Sequence, residues 1–191
     1  MAKKQAQTYQ IKITLQGSKP PIWRRLLVMS DISLAHLHTI IQVAMGWYDA
    51  HLHHFIVGQN YYSTPLEFDI DDGLEAIDER RVTLQQIVTG EGFRFQYEYD
   101  FGDGWMHLIV VEKILPSLAD LDAPLPVCIK GKRACPPEDI GGIWGYAAFL
   151  EAIKDPKHPE HADMVAWIGE DAFDAEEFDL EMVNKRLKFL K

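Results

Sequence analysis

The sequence predicts an α+β fold in which a mainly antiparallel sheet packs against helices in two layers, with a helical C-terminal third. Three observations favour this class. Several short segments alternate apolar and polar residues, which is the period of a half-buried strand. One early segment and the end of the chain instead repeat apolar residues at helical spacing. Since 191 residues suffice for one core, we expect a single domain over residues 1–191, with a helical extension from about residue 143.

Two strands and a helix are predicted at the start of the chain. Residues 8–15 alternate cleanly, and residues 22–29 follow a turn rich in glycine and proline. The helix is capped by Asp31 or Ser33 and ends at Gly46. Two neighbouring apolar stripes leave few of its positions for solvent, so we expect it to be covered over a wide arc.

A hairpin and a short helix come next. The hairpin is predicted over residues 51–57 and 60–64. Thr83 and Gln86 form a capping-box pattern for a helix over residues 84–88.

The strongest hairpin signal spans residues 93–101 and 105–114, because Asp103-Gly104 favours a two-residue type I′ turn. That turn places Gly102 opposite Trp105 and Asp100 opposite His107. A carboxylate beside an imidazole raises its pKa and fixes its tautomer, which suits a general base or a metal ligand. The alternative is a cross-strand polar pair worth ~0.2–1 kcal/mol. The face predicted to meet the core carries Phe93, Phe95, Tyr97, Tyr99, Phe101, Met106, Leu108 and Val110.

The last part of the chain contains a long loop and then helices. Residues 116–142 are rich in proline and glycine and are predicted to form one ordered loop. Helices are predicted over about residues 146–154, 160–168 and 175–190.

Two further clusters of residues suit metal or ligand binding. His51 and His53 point to one face of a strand and can chelate a transition metal such as zinc or manganese, with a carboxylate from a neighbouring strand. Cys128 and Cys135 are too far apart for a zinc knuckle. The two glycines that end the Cys135–Gly142 segment have two interpretations: they allow a backbone to approach a ligand closely, or they only shape the loop.

Composition limits the class of protein. Hydrophobic residues make up 47% and charged residues 25% of the chain, which argues against wholesale disorder. No apolar run approaches the ~18 residues of a membrane span, no signal-peptide pattern follows the N-terminal lysines, and two cysteines do not make a disulfide scaffold. We therefore expect a cytoplasmic protein without a membrane partner. The net charge of −10 counts against a protein that coats nucleic acid, because phosphate binding needs a basic surface.

These segments together resemble the plasmid pRiA4b Orf3-like family. The resemblance implies an uncharacterised group, encountered on plasmids, as passengers of insertion elements and in chromosomes, without an established activity. Association with mobile DNA leaves a nucleic-acid role open, although genetic context is not chemistry. The resemblance runs from about residue 8 to 189 and rests on motifs in the same order: Pro20-Pro21-Ile22-Trp23-Arg24-Arg25, Met45-Gly46-Trp47, His51-Leu52-His53, Tyr99–His107 and Cys135–Gly142 followed by Gly145-Tyr146.

Three functions are compatible with these patterns, and whether the chain is an enzyme is left open. The first is a binding or accessory module with a polar cleft formed by the His51–His53 strand, the Asp100–His107 hairpin and the Cys135–Gly142 loop. An unknown small molecule or protein would bind there. Its contacts would be Arg24, Arg25, Tyr99, Asp103, Trp105 and Asp139.

The second function is a metal-dependent hydrolase or nuclease, in which a divalent metal, zinc or manganese, activates water. The metal ligands would be His51, His53 and His107, and the catalytic residues Asp100, His107 and Glu138. The third is a DNA-binding accessory protein of mobile elements, against which the net charge counts. Its basic surface would be formed by Arg24, Arg25, Lys130, Lys132 and Arg133.

Overall fold

The computed structural model describes residues 6–64, 76–117, 125–169 and 173–190. Within these residues the α+β class is confirmed, and three of the five α-helices begin at or after residue 142. The strands are β1 (Thr8–Leu15), β2 (Trp23–Met29), β3 (His53–Val57), β4 (Asn60–Ser63), β5 (Ile77–Asp78), β6 (Arg94–Tyr99), β7 (Trp105–Leu115) and β8 (Val127–Lys132). The α-helices are α1 (Leu34–Met45), α2 (Leu84–Ile87), α3 (Gly142–Lys154), α4 (His161–Ile168) and α5 (Leu180–Leu187), and a single 3₁₀ turn spans Glu79–Arg81.

One sheet contains all eight strands of the described residues, in the order β5-β4-β3-β6-β7-β1-β2-β8. Neighbouring strands are antiparallel except β4 and β5, which are parallel, so the sheet is mixed but mainly antiparallel. The alternation in β1 buries Ile11 and Ile13 on one face. Helix α1 lies on that face, where its His38 and Gln42 bond to Tyr97 of β6.

Both predicted ends of α1 are confirmed. The Ser33 hydroxyl accepts the N–H of His36 at 3.1 Å and caps the start of the helix. Gly46 ends it in the left-handed conformation, with φ +107°, and donates its N–H to the carbonyl of Gln42. The wide buried arc is also present: Leu34, Leu37, His38, Ile40, Ile41, Gln42, Ala44 and Met45 are buried.

The β6–β7 hairpin is present, but its predicted register is wrong. Trp105 pairs with Tyr99 rather than with Gly102, a shift of three residues, and His107 pairs with Tyr97 rather than with Asp100. An odd shift turns every side chain of one strand to the opposite face. The buried positions of β7 are therefore Trp105, His107, Ile109 and Val111, whereas Met106, Leu108 and Val110 are half-buried and Phe101 is exposed.

Asp100 accounts for the longer turn. Its backbone is left-handed, with φ +57°, and its Oδ1 accepts the N–H groups of Gly102 (3.0 Å) and Asp103 (3.3 Å). An aspartate that bonds to the backbone two residues ahead makes a turn of its own, which here replaces the two-residue turn favoured by Asp103-Gly104. Asp100 consequently leaves the sheet and does not face His107.

The prediction of one loop over residues 116–142 is wrong in part, because β8 lies within it and pairs with β2 at one edge of the sheet. Residues 118–124 of that segment lie outside the described residues. The side chain of Asn184 on α5 covers β8 by bonding to both the N–H and the carbonyl of Cys128, each at 2.8 Å. None of the helices in the described ranges has the length and hydropathy needed to cross a membrane.

Candidate functional site

Three loops that contact one another hold five of the eleven predicted site residues, namely His51, Asp100, Asp103, Glu138 and Asp139. They are the histidine loop between α1 and β3 (residues 46–52), the hairpin loop between β6 and β7 (residues 100–104) and the acidic loop between β8 and α3 (residues 133–141). Their sequences contain five carboxylates and one basic side chain, Arg133, which is paired with Glu176. The surroundings of the site are therefore strongly acidic.

Hydrogen bonds join the three loops. The N–H of Asp100 donates to the carbonyl of Leu52 at 2.8 Å, which links the hairpin loop to the histidine loop. The N–H of Gly141 donates to Asp103 Oδ2 at 3.1 Å, which links the acidic loop to the hairpin loop. The next residue, Gly142, has φ +67°, and any Cβ there would overlap the carbonyl oxygen of Asp103. Only glycine permits this close approach.

One histidine and two aspartates, one residue from each loop, converge at the centre of the site. His51 Nε2 lies 3.3 Å from Asp139 Oδ1 and 3.7 Å from Asp100 Oδ2. The three ligand atoms all lie within 4.8 Å of one another. His51 Nε2 is itself shielded from solvent and has no hydrogen-bond partner among the described residues. This arrangement has the composition of a metal site, with an imidazole nitrogen and two carboxylate oxygens facing a common point.

Both aspartates of this cluster have unusual backbone conformations. Asp100 has φ +57° and Asp139 has φ +60°, in the left-handed region that residues with a Cβ seldom occupy. Such conformations persist where the surrounding structure holds them, and they are concentrated at functional sites. The two carboxylates that face His51 are thus placed by strained turns rather than by regular strands.

Glu138, the residue before Asp139, is held by the last residue of β6 and by the histidine loop. The Tyr99 hydroxyl donates to Glu138 Oε1 at 2.5 Å, and the N–H of Tyr48 lies 3.3 Å from Oε2. The Tyr99 oxygen also accepts the N–H of Ala50 at 3.0 Å. Burial, together with the bond to Glu138, raises the pKa of Tyr99, so the phenol keeps the proton that it donates.

Two exposed aromatic residues lie close in the chain to the loops of the site. Tyr48 follows Trp47 in the histidine loop and is 87% exposed, and Trp144 in the first turn of α3 is 85% exposed. Trp47 instead is buried and donates its indole N–H to the carbonyl of Pro136 at 3.0 Å. Large aromatic residues left in solvent beside a polar cluster are typical of a binding surface.

His107 and His53, the other two predicted metal ligands, are not part of the cluster that contains His51. His107 is fully buried, its Nδ1 lies 3.4 Å from the carbonyl of Tyr97, and burial lowers its pKa to about 4. His53 is also buried and bonds to Glu79 at 3.0 Å. The predicted alternation of His51 and His53 on a strand fails because β3 begins only at His53, which leaves His51 in the loop before it.

Arg24, Arg25 and Trp105 also lie outside the three loops of the site. Arg24 is 2% exposed, and its guanidinium donates to main-chain carbonyls such as that of Ala44 at 2.8 Å. Arg25 pairs with Glu112 through two bonds of 2.6 and 2.8 Å. Trp105 is buried in the core. Arg133 is also buried and bonds to Glu176 at 2.7 Å, so three of the five basic residues considered for a DNA surface are engaged within the fold.

Comparison with known proteins identifies the family of this chain. The profile of the family described as "Plasmid pRiA4b ORF-3-like protein" matches residues 7–182, and the chain belongs to this family, as its motifs predict. It is 38% identical over 181 residues to "Uncharacterized protein y4hQ" of Sinorhizobium fredii (strain NBRC 101917 / NGR234), across 94% of this chain and 90% of that protein. Its structure is similar to the crystal structure of a protein of unknown function, MM3350 from Methanosarcina mazei Go1, with a TM-score of 0.83 and 37% identity over 94% of this chain and 97% of that one.

Proposed function

We propose that the protein is a binding module that takes up a divalent metal ion at His51, Asp100 and Asp139 and uses this ion to hold its ligand. The observation that carries the proposal is the approach of three ligand atoms, one from each loop, to within 4.8 Å of one another. In a tetrahedral site with bonds of about 2.0–2.1 Å, ligand atoms lie about 3.3 Å apart. The distance from His51 Nε2 to Asp139 Oδ1 is 3.3 Å, and Nε2 has no competing hydrogen bond among the described residues.

The site suits a ligand-binding metal better than a structural one. Structural zinc sites are closed by four protein ligands, whereas three protein ligands leave a coordination position for an external group. The Asp139 side chain is 73% exposed, so this position is open to solvent. Tyr48 and Trp144 offer flat apolar surface nearby. A small molecule or a protein side chain that combines a metal-binding atom with an adjoining ring fits these features.

Metal binding is the first test of this function. One imidazole with two carboxylates suits zinc and manganese, and we expect about one ion per chain by isothermal titration calorimetry of untagged, chelator-treated protein. Asp100→Asn and Asp139→Asn are expected to weaken binding by at least about 100-fold, because each removes a coordinating carboxylate. Asn at position 100 retains the Oδ1 that accepts the turn N–H groups, so the hairpin loop is preserved.

The matched control is Asp31→Asn, an exposed aspartate outside the three loops. It should bind metal like the parent protein. If the parent protein takes up no zinc or manganese, or if all three variants bind alike, the cluster is not a metal site and the proposal fails.

Hydrolysis is a second candidate function, favoured by the position of Glu138. A metal with an open position lowers the pKa of bound water toward ~7, and a carboxylate beside it can take the proton. Glu138 directly precedes the ligand Asp139 and is held by Tyr99 and by the backbone of Tyr48.

The test of this candidate is the hydrolysis of bis(4-nitrophenyl) phosphate by the metal-loaded protein. Glu138→Gln should reduce the rate by about 100-fold or more while metal affinity stays unchanged, since general-base catalysis contributes ~10²–10⁴. A rate that does not respond to Glu138→Gln removes Glu138 from this role, and no turnover in the parent protein leaves binding as the function.

A further inference from the structure

Four residues behind the site form a closed ring of hydrogen bonds. The N–H of Asp49 in the histidine loop donates to Gln42 Oε1 at 3.2 Å, and Gln42 Nε2 donates to the Tyr97 oxygen at 2.8 Å. The Tyr97 hydroxyl lies 2.7 Å from His38 Nδ1, and His38 Nε2 lies 2.8 Å from Asp49 Oδ1. The ring therefore starts and ends at Asp49, and it joins α1, β6 and the histidine loop.

The direction of every bond in the ring follows from its obligatory donor and its obligatory acceptor. The backbone N–H of Asp49 can only donate, so the Gln42 carbonyl oxygen faces it and the Gln42 amide NH₂ faces Tyr97. At the other end the Asp49 carboxylate can only accept, so His38 carries a proton on Nε2 and donates it to Asp49. The Nδ1 atom of the neutral imidazole then accepts the proton of the Tyr97 hydroxyl. All four bonds run the same way, and His38 is neutral in a single tautomer.

Burial makes this ring rigid. Tyr97 is 0%, Gln42 2% and His38 6% exposed, so a broken bond would leave a polar group of these three without water to replace it, whereas the Asp49 side chain is 51% exposed. The His38 ring also stacks on His53, with centroids 3.4 Å apart and planes within 4°. Burial and this second histidine lower the pKa of His38, in agreement with the neutral form that the ring requires.

The ring holds a strained residue, Asp49, two positions before the proposed metal ligand His51. Asp49 has φ +58°, in the left-handed region, and the ring secures it through both its backbone N–H and its carboxylate. Ala50 follows and donates its N–H to Tyr99. His51 comes next, so its direction is set by two residues whose backbones are already fixed.

We propose that the ring of His38, Gln42, Asp49 and Tyr97 is the positioning device of the metal site. It holds the histidine loop in the conformation that presents His51 Nε2 to Asp100 and Asp139. The inference rests on the proposed function and deepens it, because it makes metal affinity depend on residues that do not touch the metal. Loss of such supporting partners typically lowers metal affinity 10- to 100-fold.

Two substitutions of Asp49 test the positioning role. Asp49→Asn keeps an oxygen that accepts the His38 Nε2–H, and Asn tolerates the left-handed conformation, so zinc affinity should stay within about threefold of the parent value. Asp49→Ala removes the acceptor and should lower the affinity about 10- to 100-fold. Circular dichroism and urea unfolding establish that both variants are folded. Equal affinities of the Ala variant and the parent protein would overturn the proposal, and so would an Asn variant as weak as the Ala variant.

The tautomer of His38 provides a readout that needs no metal. Side-chain ¹⁵N NMR of the metal-free protein should show His38 protonated on Nε2 and not on Nδ1. Tyr97→Phe, which removes only the hydroxyl, should change the ¹⁵N shift of Nδ1, which loses its donor, while the proton stays on Nε2 opposite Asp49, and it should weaken zinc binding. An Nδ1-protonated His38 in the parent protein would overturn the ring itself. A parent protein that binds no zinc would instead overturn the proposed function, which this readout distinguishes from a failure of the ring.

Discussion

At the scale of single residues, burial separates histidines that look equivalent in the sequence. The Nε2 atom of His51 faces two carboxylates at a partly exposed position. His107 is fully buried, and its Nδ1 bonds to the carbonyl of Tyr97. Burial lowers the pKa of His107 to about 4, and the charge of Arg24 acts in the same direction. His107 is therefore neutral near pH 7 and belongs to the core rather than to the site.

The low pKa of His107 predicts a loss of stability in mild acid. An unfolded histidine has a pKa near ~6.5, so between pH ~6.5 and ~4 the unfolded chain binds a proton that the folded chain does not. The free energy of unfolding should fall as the pH falls through this window, by up to about 3 kcal/mol from this residue. His107→Gln should flatten the dependence, as measured by urea unfolding at several pH values between ~7 and ~4.

The control for this prediction is His158→Gln, at a partly exposed position between α3 and α4. Its stability should follow the pH dependence of the parent protein. The assignment is wrong if His107→Gln retains the full acid-dependent loss.

At the scale of elements, the site depends on close contact between the hairpin loop and the start of α3. Gly142 makes this contact without a Cβ, directly against the carbonyl of Asp103. The neighbouring Gly141 donates its N–H to the Asp103 carboxylate. These two contacts hold the acidic loop, and with it Asp139, against the hairpin loop that carries Asp100.

Gly142→Ala should therefore separate the two loops. The left-handed backbone at φ +67° costs about 1–2 kcal/mol for alanine, and the overlap with Asp103 adds to it, so we expect a loss of about 3 kcal/mol or more in the free energy of urea unfolding. Gly92→Ala is the matched control, since Gly92 has φ +81° but a Cβ added there would meet no neighbouring atom within 4 Å. It should lose only about 1–2 kcal/mol. Equal losses would show that the contact with Asp103 does not matter.

Elements whose ends are decided locally could be predicted from the sequence. Both ends of α1 are fixed by groups within or next to the helix, namely the Ser33 hydroxyl and Gly46. The register of the β6–β7 hairpin could not be predicted, because the sequence contains two competing turn signals. In the structure the turn formed by the side-chain bonds of Asp100 replaces the two-residue turn at Asp103-Gly104. Strand β8 could not be recognised from its local sequence, because the groups that hold it, β2 and Asn184, are distant in the chain.

The candidate site could be predicted only as a set of separate residues. His51, Asp100 and Asp139 all stand out in the sequence, but they were assigned different roles there. Their grouping depends on the chain path, since the acidic loop follows β8 at one edge of the sheet while the histidine loop precedes β3 near the other. No spacing in the sequence indicates that these two loops meet. Aspartates do, however, tolerate the left-handed turns on which the contact depends.

At the scale of the whole molecule, the charge distribution favours a cation at the site. The chain has a net charge of −10, and the three loops contribute five carboxylates. A divalent ion would offset the mutual repulsion of Asp100 and Asp139 and would give an anionic ligand a positive group to bind. Without an ion, the same surface repels such a ligand. The proposed metal ion would therefore be the simplest way for this acidic protein to hold an anionic or metal-coordinating partner.

The most direct measurement of the central claim is anomalous diffraction from crystals grown with manganese chloride. We predict one anomalous peak per chain, about 2.0–2.2 Å from His51 Nε2 and from a carboxylate oxygen of both Asp100 and Asp139. The peak should be lost in Asp139→Asn. A map without a peak at these three residues, or with the only peaks elsewhere, would contradict the assignment of this cluster as the metal site.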